Sequence, residues 1–382
     1  MKIGFDASRI LTLQRTGTEN YSFYLAQHLA KKDRKNLYTL YFRRSPNRKE
    51  LESIIQKNPN FRVKVIPWPR LWTQGGLAWE CLRHPLDLLF VPAHTLPVIR
   101  RSSLKSVVTI HDLGFEYLSE YHQFPQKLYL DKATKFAARY ATQLIAVSRA
   151  TKRDLIKRFD VPEEKITVVY EGVDQEKFKV QSSKLKTEEV KRKYDIRGDY
   201  ILFVGTIQPR KNLRRLVEAF SKIANKDLEL VIVGRPGWMF EEIYSAPHDF
   251  GVEERVKFLG HVEDEDLADL YRGASCFVLP SLYEGFGLPV LEAMASGIPV
   301  VTSCTSSLPE VGGDAAVYVD PYKVSSISAG LAGVIGGSEG FRRSLTRKGF
   351  RQVEKFSWEK CAQETLAVFE KVAGESATVG NL

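Results

Sequence analysis

Apolar residues along this chain fall into short blocks separated by longer stretches with helical spacing. In the first half the blocks are 2–7, 38–42, 62–66, 88–91, 106–110, 143–147 and 166–169, and the spacing predicts helices over 19–31, 126–140 and 149–158. Blocks this short, bounded by polar residues and followed by amphipathic segments, read as buried strands alternating with helices. Such alternation predicts a parallel sheet covered on both faces, with ligands at the carboxyl ends of its strands.

Between 174 and 199 the pattern lapses into charged residues with few apolar ones, which predicts a linker. A second alternating set follows, with strands expected at 200–205, 228–233, 256–259, 276–280, 299–302 and 315–319 and helices at 213–223 and 288–295. Near the end, Ala362, Leu366, Phe369 and Val372 mark a helix that Ser357 is placed to cap, and residues 376–382 are expected to fray. The fold class expected is α/β, with two Rossmann-like domains of similar size facing a central cleft. The boundaries read 1–180 for the first domain, 181–199 for the linker, 200–355 for the second domain and 356–382 for the tail helix.

Composition narrows the function. With 382 residues, 43% hydrophobic and 27% charged, the chain can bury two cores and is neither disordered nor fibrous. Its four cysteines, Cys81, Cys276, Cys304 and Cys361, have neither disulfide nor zinc spacing, which points to a reducing cytoplasm. The N-terminus enters a strand directly and no apolar run approaches the roughly 18 residues of a membrane span, so neither secretion nor a transmembrane segment is expected. Residues 1–180 carry 31 Lys+Arg against 18 Asp+Glu, whereas 181–382 carry 25 against 28. A basic first half suits an anionic lipid surface or a phosphorylated acceptor, and equally a solvated face. No nucleic-acid-binding motif accompanies it, so nucleic acid is not an expected partner.

Candidate chemistry gathers at predicted strand ends. The stretch from Ser281 to Gly297 places Glu284 and Glu292 on either side of Gly285-Phe286-Gly287-Leu288-Pro289, a glycine turn that runs into a helix. Glycines there allow close backbone approach, and free amides at the helix start bind anions. Glu292, one turn in, is placed to accept hydrogen bonds from a diol such as a ribose. Arg210 and Lys211, after the strand at 200–205, suit two linked phosphates. Gly17, in Thr16-Gly17-Thr18-Glu19, either meets a phosphate or acceptor or simply forms the turn. His111 and Asp112 follow the strand at 106–110; on the residues alone, His111 reads more readily as a hydrogen-bonded turn histidine and Asp112 as a local cap. Asp264 and Asp266 mimic a metal-binding D-x-D, but they precede Leu267, Leu270 and Tyr271 as the acidic first turn of a helix would. No metal ligands cluster elsewhere in the sequence, and none are expected.

In this order the motifs resemble the retaining GT-B-fold glycosyltransferases of family 4, the group 1 transferases, in their mannosyltransferase-like branch. The resemblance spans nearly the whole chain and is carried most specifically by the E-x7-E spacing of Glu284 and Glu292. Gly205 with Pro209-Arg210-Lys211-Asn212, Gly260-His261-Val262, Ala295-Ser296-Gly297-Ile298-Pro299, His111-Asp112 and Val147-Ser148 support it. The resemblance implies that Glu284, with the amides of Gly285, Phe286, Gly287 and Leu288, binds the transferred sugar. It assigns the ribose to Glu292, the diphosphate to Arg210 and Lys211, and the base to the backbone near Val262. It further implies that His111 faces the sugar across the cleft, that Gly17 lies near the phosphate or acceptor, and that the tail helix returns to the first domain. Two departures stand out: Thr16-Gly17-Thr18 replaces paired glycines, and Glu171 replaces the asparagine common before Gly172-Val173-Asp174.

The activity expected is retaining, metal-independent transfer of a hexose from a nucleotide diphosphate sugar, first of all mannose from GDP-mannose. The acceptor expected is a glycan or lipid-linked hydroxyl in surface polysaccharide synthesis, handled in the cytoplasm with peripheral contact at the inner membrane face. A UDP-sugar transferase, a nucleotide-sugar epimerase of similar architecture and a catalytically silent sugar-nucleotide binder are the alternatives.

Overall fold

The structure is a computed structural model that describes residues 1–11, 17–117, 126–179 and 184–374. Thr16 of the first glycine loop, residues 181–183 of the expected linker and the tail at 376–382 lie outside the described residues. Strands form at each of the apolar blocks. One sheet contains β1 (Lys2–Asp6), β2 (Leu37–Phe42), β3 (Phe61–Val65), β4 (Leu88–Val91), β5 (Lys105–Ile110), β6 (Gln143–Ala146) and β7 (Ile166–Val168), in the order β3-β2-β1-β4-β5-β6-β7. The other contains β8 (Tyr200–Val204), β9 (Glu229–Val233), β10 (Val256–Gly260), β11 (Cys276–Leu279), β12 (Val300–Ser303) and β13 (Ala316–Val319), in the order β10-β9-β8-β11-β12-β13. Every pairing is parallel. All four residues of β4 and of β11 are buried, as expected of central strands covered on both faces.

Both sheets have the doubly wound order, in which the chain starts in the middle, runs to one edge and then returns to build the other half. The direction reverses between β1 and β4 and between β8 and β11. Loops diverge at these points and leave a crevice at the strands' carboxyl ends, where such sheets bind ligands. Strand ends approach closely in the second sheet: a Cβ on Gly234, after β9, would stand 1.9 Å from the carbonyl oxygen of Gly205, after β8. Only glycine fits there.

The chain divides into one unit of Met1–Gly172 with Trp358–Leu382 and another of Val173–Ser357. These divisions fall at 172/173 and 357/358, where the sequence placed them at 180/181 and 355/356. The tail helix Trp358–Gly374 belongs to the first unit, as expected. Trp358 stacks on Tyr24 at 5.2 Å, and Phe369 meets Phe90 edge-on at 5.1 Å. Within the stretch read as a linker, Lys184–Lys193 is a helix of the second unit. It docks largely through polar groups: Thr187 donates to Asp269 at 3.3 Å, and the adjoining Tyr194 hydroxyl donates to Asp266 at 2.9 Å. A helix held this way shows little apolar periodicity, so the sequence did not reveal it. Among the described residues no helix is long and apolar enough to cross a membrane.

Candidate functional site

In the second unit the loops on either side of the β8/β11 reversal are stitched together. After β8, Pro209–Lys211 forms a single 3-10 turn before helix Leu213–Ser221. Asn212 adopts a left-handed conformation (φ 62°), and its amide donates to the carbonyls of Pro280 at 3.0 Å and Pro321 at 2.7 Å. The Leu282 amide donates back to the Arg210 carbonyl at 2.9 Å. This seam turns Arg210 and Lys211 toward the loop that carries Glu284.

Glu284 is buried, 6% exposed, and enclosed by donors. Its Oε1 accepts from Lys211 Nζ and from Ser281 Oγ, each at 2.6 Å, and its Oε2 accepts from Arg210 Nη1 at 2.8 Å. The same Arg210 nitrogen reaches the Tyr283 carbonyl at 2.6 Å. Burial pushes the Glu284 carboxyl up, but the Arg210 and Lys211 charges and the hydrogen bonds from Lys211 and Ser281 outweigh it and hold it at about 2. The sequence assigned the carboxylate to a sugar and the cations to a diphosphate as separate tasks. The structure joins them in one triad, a carboxylate between two cations, beside a helix start.

That helix, Leu288–Ala295, begins after Gly287 at φ 118°, a conformation glycine alone adopts at low cost, and Pro289 occupies the first turn. The turn Glu284-Gly285-Phe286-Gly287 is fixed from outside by the loop after β12. Ser306 Oγ accepts from the Glu284 amide at 2.9 Å, and Ser307 Oγ lies 2.9 Å from the Glu284 carbonyl and 2.6 Å from that of Phe286. Ser303 Oγ donates to the Ser281 carbonyl at 2.6 Å. These serines were missed in the sequence. The signal was the hydroxyl-rich run Ser303-Cys304-Thr305-Ser306-Ser307 directly after an apolar block.

Glu292 lies farther along the helix and accepts from the Tyr271 hydroxyl at 2.8 Å; burial pushes its carboxyl up. Tyr271 is thus a second partner that the sequence did not flag. Val262 is buried in the loop after β10, on the far side of β9 from the triad. Asp264 and Asp266 are in the first turn of helix Asp264–Gly273, as the residue pattern suggested, where Asp264 pairs with Lys177 at 3.1 Å and Asp266 accepts from Tyr194. Among the described residues no three of His, Cys, Asp and Glu form a group that could hold a metal ion.

In the first unit, His111 directly follows β5 and is 6% exposed. Its Nε2 is 2.8 Å from the Pro92 carbonyl, its Nδ1 is 3.0 Å from Glu171 Oε1, and Tyr21 packs edge-on against the ring at 4.7 Å. Asp112 accepts from the Gly114 amide at 3.0 Å, which is the local cap the residues alone suggested. The sequence also passed over His94, after β4, which has φ 46° and a buried Nδ1 without a partner among the described residues. Burial first, then the neighbouring His111, hold His94 down to about 3. Gly17 is the exposed first residue of helix Gly17–Lys32, and a Cβ there would meet nothing within 4 Å, so packing does not require a glycine.

A model of the group 1 glycosyl transferases matches residues 186–352, and a model of glycosyltransferase family 4 matches residues 15–177. The chain is 33% identical over 270 residues to O-antigen chain mannosyltransferase B of Escherichia coli, covering 70% of each protein. Among solved structures, sucrose-phosphate synthase from Thermosynechococcus elongatus superposes with a TM-score of 0.78 at 19% identity, over 98% of this chain and 99% of that one. HepE of Anabaena, solved with UDP and glucose, gives 0.75 at 18% identity, over 97% and 100%. These structures share the GT-B architecture of two parallel-sheet Rossmann-like domains. With both halves matched and the triad at the reversal of the second sheet, the chain belongs to the group 1, family 4 glycosyltransferases.

Proposed function

We propose that this glycosyltransferase moves a mannosyl residue from GDP-mannose, with retention at the anomeric carbon, to a hydroxyl of a glycan or lipid-linked acceptor in surface polysaccharide synthesis. The observation that carries the reading is the Glu284–Arg210–Lys211 triad. It holds an ionised carboxylate for sugar hydroxyls beside two cations and helix-start amides for a diphosphate. Those donors meet the charge that grows on the departing diphosphate, so the reaction as proposed needs no metal. Glu292 takes the ribose, the backbone near Val262 the base, and Gly17 lies near phosphate or acceptor. His111 belongs to the catalytic machinery with Glu284, Arg210 and Lys211. The mannosyl assignment rests on the Escherichia coli relative.

A thermal-shift screen of nucleotide sugars tests the donor. GDP-mannose at about 100 times its dissociation constant should add about 2.7 kcal/mol of stability, a rise of several degrees in Tm. Stabilisation by UDP-glucose or UDP-N-acetylglucosamine alone would replace mannose with the sugar of a UDP donor. Conversion of the donor without an acceptor would point to an epimerase instead.

We further place the working enzyme in the cytoplasm with peripheral contact at the inner membrane face, because residues 1–180 carry the chain's excess of basic residues. Vesicles containing anionic lipid should retain the protein at low salt and release it at high salt. Absence of retention at low salt would rule this contact out.

A further inference from the structure

Glu171 is a buried acid after the last strand of the first sheet, and the structure gives it a partner. Its side chain is 5% exposed and meets His111 Nδ1 at 3.0 Å, while His111 Nε2 lies 2.8 Å from the Pro92 carbonyl. A carbonyl oxygen only accepts, so Nε2 carries a hydrogen. The contact to Glu171 requires one more proton between Nδ1 and the carboxyl group.

The surroundings say where that proton sits. Burial pushes both the Tyr21 hydroxyl and the Cys361 thiol well up, so neither brings a charge to the pair. His94, whose ring is 5.7 Å from that of His111, is held well below the usual imidazole range, first by burial. Asp112 accepts from the Gly114 amide and Arg9 pairs with Glu19 at 3.5 Å, and the two opposite charges also bear on His94. With Tyr21, His94 and Cys361 all uncharged, a buried Glu171 carboxylate needs a cation in contact, and His111 is the one in contact among the described residues.

We propose that Glu171 is a positioning residue that keeps His111 as an imidazolium with both N–H groups committed, Nδ1–H to Glu171 and Nε2–H to Pro92. The proposal deepens the function given above and rests on it. A doubly protonated ring has no lone pair with which to take a proton from the acceptor. His111 therefore contributes fixed positive charge and not base catalysis. The acceptor oxygen bonds to the anomeric carbon as the bond from that carbon to the phosphate oxygen breaks. The acceptor's proton then goes to the departing phosphate.

Nitrogen-15 NMR of histidine-labelled full-length protein, with the His111 signals assigned by their loss in His111→Gln, reads the protons directly. Wild type should show both ring nitrogens of His111 protonated, and Glu171→Gln should show Nε2 alone protonated. In steady-state assays Glu171→Gln should lower kcat by about 10- to 100-fold, the cost of removing the outer partner of a metal-binding histidine, and leave the donor KM unchanged. Glu171→Asp, which keeps the carboxylate, should recover part of the loss. A wild-type ring with one bare nitrogen overturns the proposal, as does a glutamine variant with the wild-type spectrum and kcat. Should Glu171→Gln not fold, the wild-type spectrum and the aspartate variant still decide. Failure of the glycosyltransferase reading would appear separately, as wild-type protein that transfers no sugar.

Discussion

Glu284→Ala is expected to abolish sugar transfer. Loss of one preorganised group at a reacting centre costs about 10²–10³ in kcat, and Glu284, proposed above to bind the sugar, also sets the position of two more. Its carboxylate is the common acceptor of Arg210 Nη1, Lys211 Nζ and Ser281 Oγ. Without it the two cations repel each other and lose their fixed directions. Breaking a buried ion pair by removing one partner costs about 3–5 kcal/mol, so the variant should also melt several degrees lower.

Nucleoside diphosphate binding should survive, because Arg210 and Lys211 keep their charge and no longer share it with a carboxylate. Calorimetric titration with GDP therefore separates a site that is merely unfolded from one that binds but does not transfer. Wild-type turnover by Glu284→Ala, with purified donor and acceptor, would remove the assignment.

The second large effect is expected from the paired replacement Arg210→Ala and Lys211→Ala, read as stability against pH. In the wild type the folded Glu284 carboxyl is held at about 2, below its unfolded value of 4.5. A lowered carboxyl contributes stability that is fully present above pH 4.5 and is lost as pH falls toward 2. That difference amounts to about 3 kcal/mol. Removing both cations leaves burial as the dominant influence on Glu284, which favours its neutral form.

The wild type should thus lose stability steadily between about pH 5 and pH 2, and the double variant should be less stable at pH 7 and much flatter across that range. Glu292, whose carboxyl is raised, works in the opposite sense in both proteins and cancels in the comparison. Melting temperatures from pH 2 to 7 provide the measurement. Parallel acid limbs in the two proteins would show that the triad does not set the charge of Glu284. Donor turnover should fall by at least the 10²–10³ expected for a lost transition-state donor.

How much of this was legible in the sequence depended on the kind of force involved. Strands β4 and β11 were plain because a central parallel strand is buried on both faces and its residues are apolar in succession. The helix Leu288–Ala295 was equally plain, with its glycine start and first-turn proline. The helix Lys184–Lys193 was hidden because its docking relies on Thr187, the adjoining Tyr194 and charged partners, and such contacts leave no period in the hydrophobic pattern. His111 shows a different limit. Its position after β5 could be read from the chain, but its hydrogen-bond partners, Pro92 and Glu171, lie 19 and 60 residues away.

By itself the sequence determined two parallel sheets of alternating strands and helices, and which strand ends carry the glycines and charged residues. Burial period, turn residues and motif spacing are local, and they write themselves along the chain. Only the tertiary structure decided which strand ends lie side by side. That placement put Glu284 between Arg210 and Lys211, set three serines behind the glycine turn and gave Glu171 to His111. The physical reason is that a charge takes its strength from its neighbours in space. A glutamate read in sequence is an acid of ordinary strength; enclosed by two cations and a hydroxyl, Glu284 stays ionised even where burial opposes it.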